Sequence, residues 1–319
     1  MKWIKKGLVY VPDGRYQWNQ SHAQLPIVDA ASKQVWRIYF ATRDADNRSN
    51  ASFVEVEAGC PERILYQHNQ TILALGRLGS FDESGIMPVS LVNHDGKKYL
   101  FYAGWTRRVT IPYHNSIGLA ISNDRGQTFQ KVGDGPILDI RPREPYFTGT
   151  AQVLIDDGVW KMWYQSCTKW EVRNGHPEPF YHIKYAESAD GINWCRTGVV
   201  AIDYKDENEG GICSASVLKE NCTFRMWYST RGAEDYRHNR ANTYRIGYAE
   251  SGNGIDWTRK DDEVGIDVST EGWDSEMLAY PFVLKHGGRT FMFYNGNGFG
   301  KSGFGYAVLE QNVIKSESK

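Results

Sequence analysis

Long apolar runs are missing from this chain: none of its 319 residues lie in a stretch near the roughly 18 apolar residues a membrane helix needs. An excess of either charge is missing too. Lys and Arg number 37 against 38 Asp and Glu, which argues against nucleic acid or an anionic membrane surface as the main partner. Cysteine is sparse and scattered, as Cys60, Cys167, Cys195, Cys213 and Cys222, with no CxxC pair. That pattern disfavours a disulfide framework or a zinc site and fits reduced thiols in a cytoplasm. The opening Met1-Lys2-Trp3-Ile4-Lys5-Lys6-Gly7 lacks the apolar run and cleavage site of a signal peptide. No helical periodicity of useful length occurs between the apolar segments, which excludes an alternating α/β architecture.

What the chain does have is 11 Trp, 19 Tyr and 32 Gly, a composition suited to short aromatic strands joined by tight turns. One segment recurs five times: Val35-Trp36-Arg37-Ile38-Tyr39-Phe40, Lys98-Tyr99-Leu100-Phe101-Tyr102, Val159-Trp160-Lys161-Met162-Trp163-Tyr164, Thr223-Phe224-Arg225-Met226-Trp227-Tyr228 and Thr290-Phe291-Met292-Phe293-Tyr294. The spacing is about 61 to 67 residues, the signature of a repeat architecture. A second segment follows the later copies: Ile117-Gly118-Leu119-Ala120, Ile183-Lys184-Tyr185-Ala186, Ile246-Gly247-Tyr248-Ala249 and Phe304-Gly305-Tyr306-Ala307. Three polar turns, at 122–129, 188–194 and 251–257, carry Asp or Asn and Gly where hairpins need positive φ, and they resemble the Asp-box of sialidases.

The last repeat runs out one strand short. Trp3-Ile4-Lys5-Lys6-Gly7-Leu8-Val9 matches Trp194-Cys195-Arg196-Thr197-Gly198-Val199-Val200 almost position for position, so the N-terminal strand is expected to complete it. The expectation is an all-β, five-bladed β-propeller with four strands per blade, one domain over 1–319, its ring closed by that strand. Loops between second and third strands, and between blades, are long and chemically loaded, so function is expected on their face. Residues approaching each innermost strand include Trp18 to Gln24, Phe81 to Gly85, Arg143 to Tyr146, Glu207 to Gly211 and Trp273 to Glu276. Four of these five approaches bring a carboxylate. A shared pocket would make them repel, raise one pKa and create an acid and base pair.

These loops resemble the five-bladed glycosidases of glycoside hydrolase families 43 and 32, the arabinanases, xylosidases, invertases and levanases. The resemblance covers the whole chain in architecture and short loops in motif. Arg143-Glu144-Pro145 is similar to the Arg-Asp-Pro motif of a transition-state stabiliser, and Glu209 stands in the blade of the general acid, followed by Gly210 where that family has Cys. Trp18-Asn19-Gln20-Ser21-His22 occupies the nucleophile loop without a carboxylate. The resemblance therefore implies cleavage of a glycosidic bond with Asp82 as substitute base, Glu144 tuning, and Glu209 or Glu276 as proton donor. His22 is the alternative acid or base. Sugar contacts are expected from Trp18, Trp105, Trp170 and Trp273 by stacking, with Arg43, Arg107, Arg143, Arg231 and Asp274 beside them. The arginines favour an anionic sugar or a sugar phosphate. A carbohydrate-binding propeller without hydrolysis and a glycoside phosphorylase are the alternatives. No cofactor is expected and no metal constellation stands out; the shaft of such a ring leaves room for a central Ca²⁺ or a water, which the sequence does not indicate.

Overall fold

The structure is a computed structural model, and residues 1–310 are described. The aromatic segments form strands because aromatic and β-branched side chains fit a pleated surface. Strand β1 (Trp3–Tyr10) comes first. A first unit holds β2 (Ser21–Asp29), β3 (Val35–Arg43), β4 (Ser49–Glu57) and β5 (Cys60–Gln67). The second holds β6 (Gly85–His94), β7 (Lys97–Arg107), β8 (Tyr113–Ser122) and β9 (Gln130–Lys131). The third holds β10 (Thr148–Asp156), β11 (Val159–Arg173), β12 (His176–Ser188) and β13 (Val200–Ile202). The fourth holds β14 (Glu209–Glu220), β15 (Thr223–Gly232), β16 (Arg245–Ser251) and β17 (Thr258–Arg259). The fifth holds β18 (Ala279–His286), β19 (Arg289–Asn295) and β20 (Phe304–Leu309). Strand β1 joins this last unit, antiparallel to β20, with Trp3 opposite Leu309 and Leu8 opposite Gly305.

Neighbouring strands within each unit run antiparallel, and the protein is nearly all β. Units meet face to face, so the two-residue period of each second strand serves two neighbours at once. In β11, Trp160, Met162 and Tyr164 pack with Phe101, Ile117 and Leu119 of the second unit. Trp163, between them in sequence, packs instead with Ile212, Val217 and Met226 of the fourth. The first strand of each unit touches that of the next, from β2 through β6, β10, β14 and β18, and β18 touches β2. Together they line a cavity of about 20 Å³ with Leu25, Val89, Ala151, Ser214 and Tyr280, room for about one water molecule. Hydroxyls stitch these strands together: Ser90 accepts from the Val153 N–H at 3.0 Å, Thr150 from Ser214 at 2.8 Å, and Ser216 from Val283 at 2.8 Å.

The polar turns are anchors. Ser188 and Asp190 accept the N–H groups of Gly191, Ile192 and Asn193, and Ser251 with Asn253 repeats the arrangement. Two of the turns also hang on a neighbouring unit. Tyr39 donates to the Gly126 carbonyl at 2.9 Å and Trp163 to the Gly254 carbonyl at 2.8 Å. One expectation changes. The segment Thr168 to Tyr181 is largely a two-stranded extension, with Lys169 opposite Phe180 and Arg173 opposite His176, so Trp170 sits on a strand.

Candidate functional site

Of the carboxylates expected to share a pocket, Asp82, Glu144, Glu209 and Asp274 each make their side-chain bonds within their own unit. Asp82 is 1% exposed. It pairs with Lys131 at 2.5 Å and accepts from the Tyr102 hydroxyl at 3.1 Å and Ser80 at 3.0 Å. Asp274 repeats this with Lys5 at 2.7 Å and Tyr294 at 2.9 Å. Glu209 receives both ends of the Arg259 guanidinium, at 2.7 and 2.9 Å, together with the Thr230 hydroxyl and the Lys205 N–H at 2.9 Å. Glu144 is bonded by Tyr164 at 3.0 Å, Arg141 at 2.7 Å, Arg196 at 3.0 Å and Lys184 at 3.1 Å. Burial works to raise the Glu144 carboxyl, but the bonds from Arg141 and Lys184 and the charge of Lys184 and Arg196 hold it below its ordinary value. In the first unit the neutral Asn19 stands in this place, accepting from Thr42 at 2.7 Å and donating to Tyr10 at 3.1 Å.

In the second, third and fifth units a tyrosine of the second strand thus reaches across its sheet to the acid of the incoming loop, whereas in the fourth Tyr228 bonds Asp261 and Thr230 serves Glu209. In the second and fourth units the glycine of the third strand makes room for the tyrosine: a Cβ on Gly118 would lie 2.3 Å from the Tyr102 ring, and one on Gly247 2.3 Å from the Tyr228 ring. The recurrence visible in sequence coincides with this anchor in the second, third and fifth units. A charged carboxylate buried beside its own cation and hydroxyl donor is satisfied where it stands.

Other predicted residues do meet, around the start of β2 and the ends of β3 and β7. From the first unit, His22 takes a left-handed φ of 61° and its Nδ1 lies 2.8 Å from the Ser21 hydroxyl. Burial first, then the charges of Arg43 and Lys301, lower its imidazole to about 4, so it is neutral near pH 7. Arg43 donates to Gln24 Oε1 at 3.1 Å, lies 5.5 Å from the centre of the Trp105 ring, and is within electrostatic range of the Tyr280 hydroxyl and of the Arg107 guanidinium. Gln24 donates onward to the Phe299 carbonyl at 2.7 Å. Phe147, Tyr181, Tyr244, Trp170, Tyr280 and Phe299 form one aromatic cluster spanning the third to fifth units. Burial raises the phenols of Tyr113, Tyr244 and Tyr280 well above their ordinary value, so they act as neutral hydrogen-bonding groups.

Arg231 lies beneath this cluster, 2% exposed. It donates to the Tyr181 hydroxyl at 2.9 Å, the Gly232 carbonyl at 2.8 Å and the Pro179 carbonyl, with its guanidinium 3.7 Å from the centre of the Tyr236 ring. Tyrosine faces and carbonyls, rather than a carboxylate, hold its charge.

The remaining predicted residues stand apart. Trp18 stacks on Tyr16 at 5.2 Å, and Trp273 on Tyr294 at 5.1 Å. Glu276 is exposed and is tied by its backbone, its N–H to Asn297 at 2.8 Å and its carbonyl to Thr243 at 2.6 Å. Arg143 is exposed at the side of the third unit. Sequence reasoning missed Tyr113, Tyr181, Tyr244, Tyr280 and Phe299, and placed Gln24 in the first approach without giving it a role. The available signal was the X-Pro step at Leu25-Pro26, Met87-Pro88 and Tyr280-Pro281, which marks the same point on three inner strands. Among the described residues no group of three or more His, Cys, Asp or Glu could hold a metal ion.

No family model matches the chain. It is 37% identical over 310 residues, 97% of its length and 100% of theirs, to the uncharacterized proteins MT1551 and Rv1502 from two strains of Mycobacterium tuberculosis. Among solved structures it is similar to the BT0996 RGII complex, with TM-score 0.69 and 16% identity over 99% of this protein and 95% of that one. A thermostable family-43 glycoside hydrolase gives TM-score 0.67 and 18% identity over 92% of each. The family-32 β-fructofuranosidase of Bombyx mori gives 0.63 and 17% over 93% of this protein and 62% of its own length.

Proposed function

From a chain that belongs to one family with the mycobacterial proteins Rv1502 and MT1551, and that has the fold of the family-43 and family-32 glycosidases, we propose a glycosidase-like protein that binds a carbohydrate at the loop-bearing end of its axis. In this reading the five units are the blades of one propeller domain closed by β1; of the expected span 1–319, residues 311–319 lie outside the described residues. The observation that carries it is the meeting of His22, Arg43, Trp105, Trp170 and Tyr280 around that end, drawn from different units. Aromatic faces suit the C–H faces of a sugar ring. Arg43, with Arg107 beside it, suits a carboxylate or phosphate substituent.

Two-carboxylate cleavage requires an acid and a base about 5–5.5 Å or 6.5–9.5 Å apart across the sugar. Asp82, Glu144 and Glu209 are each engaged inside a separate unit, which supports binding without that chemistry. A second reading, hydrolysis with His22 as the proton-handling group, is favoured by its neutral imidazole beside two cations.

A panel of neutral, uronate-bearing and phosphorylated glycosides, scored for both binding and bond cleavage, tests this. Binding without cleavage, lost in Arg43→Gln and Trp105→Ala, is expected. Cleavage abolished by His22→Asn selects the second reading. Cleavage abolished by Glu209→Gln in a variant of unchanged stability returns the carboxylates to the centre, and silence across the panel removes the proposal.

A further inference from the structure

The anchors described above follow a rule that one unit breaks. In the second and fifth units a single buried carboxylate meets a single cation, Asp82 with Lys131 and Asp274 with Lys5. In the fourth, Arg259 is shared by Glu209 and Asp261. The third unit has one carboxylate, Glu144, facing Arg141, Lys184 and Arg196. Lys184 occupies the register position of Gly118, Gly247 and Gly305, opposite Tyr164 as those glycines stand opposite Tyr102, Tyr228 and Tyr294. A cation has therefore been placed where the repeat elsewhere needs only space.

These groups line an open cleft of about 590 Å³ at the side of the third unit, together with Arg143, Thr197 and Gly198. Four cations and one carboxylate leave the cleft with an excess of three positive charges, in a chain whose net charge is −1. Much of that charge is uncompensated. Arg143 makes no hydrogen bond or ion pair among the described residues. Arg141 Nε is buried without a partner, although its Nη groups are held by Glu144 and the Arg196 carbonyl. Arg196 directs Nη1 to Glu144 and to the Asp139 carbonyl at 2.8 Å. Like charges gathered this way repel unless a counter-charge sits among them.

We infer that this cleft is a binding site for a phosphate group, separate from the axial site. A phosphate dianion offsets two of the three excess charges and offers several acceptor oxygens. Two or more guanidinium groups and an ammonium match that demand through charge-assisted, partly bidentate bonds. Glu144 then acts as the positioning residue that holds Arg141, Lys184 and Arg196 in one array.

Calorimetric titration of the full chain with inorganic phosphate, glucose 1-phosphate and glucose tests the site. Saturable binding of phosphate, of the ester, or of both is expected, with none for glucose. Arg143→Gln, whose native guanidinium holds no other residue, is expected to weaken binding about tenfold, the effect of one charge-assisted bond, without moving the melting temperature. Lys184→Gly restores the residue of the second, fourth and fifth units and is expected to weaken binding to a similar degree. Binding of both phosphates would identify free phosphate as sufficient. Binding of the ester alone would assign the site to a phosphate carried on a larger molecule. No saturable binding, or binding unchanged in both variants, would overturn the inference whatever the axial site does with sugars.

Discussion

Replacing Glu209 by Gln keeps the side chain's size and removes its charge, at a position 5% exposed. The carboxylate accepts from Arg259 twice, from Lys205 N–H and from Thr230. An amide nitrogen placed at Oε2 would face two donors, Lys205 N–H and Arg259 Nη1. At Oε1 it would face Arg259 Nη2 and a hydroxyl that can rotate to accept, so the amide should settle that way round. One charge-assisted bond is lost there, and the remaining bonds weaken with the charge. Arg259 keeps Asp261 at 2.6 Å, which spares it the full penalty of an orphaned buried cation. The net cost is about 2–4 kcal/mol, between loss of a single charged hydrogen bond and rupture of a buried pair. Urea unfolding followed by tryptophan fluorescence reads it directly, and a double-mutant cycle with Arg259→Met should recover a coupling of similar size. Sugar binding should be unchanged. A variant as stable as the parent that nevertheless loses its ligand or its turnover would refute the anchoring argument for this residue.

Two further outcomes follow from the same geometry. The folded His22 imidazole is lowered from 6.5 to about 4, so between those values the unfolded chain binds the extra proton. Its contribution is complete above pH 6.5 and falls as pH drops toward 4; stability measured at pH 7 and 5 should therefore differ less in His22→Asn than in the parent, Asn being a residue that tolerates the left-handed backbone there. Gly118→Ala forces the Tyr102 ring, 2.3 Å from the new Cβ, off its bond to Asp82, and should cost about 1–3 kcal/mol in the same unfolding assay.

The repeat, the aromatic strands and the pairing of β1 with β20 were legible in the sequence because each rests on local alternation or on near-identity between segments. The carboxylates were legible only as a periodicity. What distinguishes an anchor from a catalytic acid is the partner, and the partner tyrosine stood in plain view 20 residues downstream of Asp82, Glu144 and Asp274. Taken with its tyrosine, each acid points into its own sheet. The axial cluster was half legible: His22, Arg43, Trp105, Trp170 and Arg231 were singled out by residue type, whereas Tyr280 and Gln24 lie within ordinary strand sequence. Only the convergence of the inner strands gives those two a function, and convergence leaves no mark on any one segment.

Strand β1 has a history that the folded molecule hides. Its hydrogen-bonding partner, Phe304–Leu309, is made some 300 residues later, which at 5–20 residues per second is roughly 15–60 s of synthesis. Until then the Trp3–Tyr10 segment lacks the strand it pairs with in the folded protein. Lys5 and Lys6 sit in the middle of it, and charge on an open edge discourages mispairing. One of these guards is later absorbed: Lys5 ends against Asp274. The residue that keeps the waiting strand solitary thus becomes, once its partner arrives, part of the clasp that holds the two ends together.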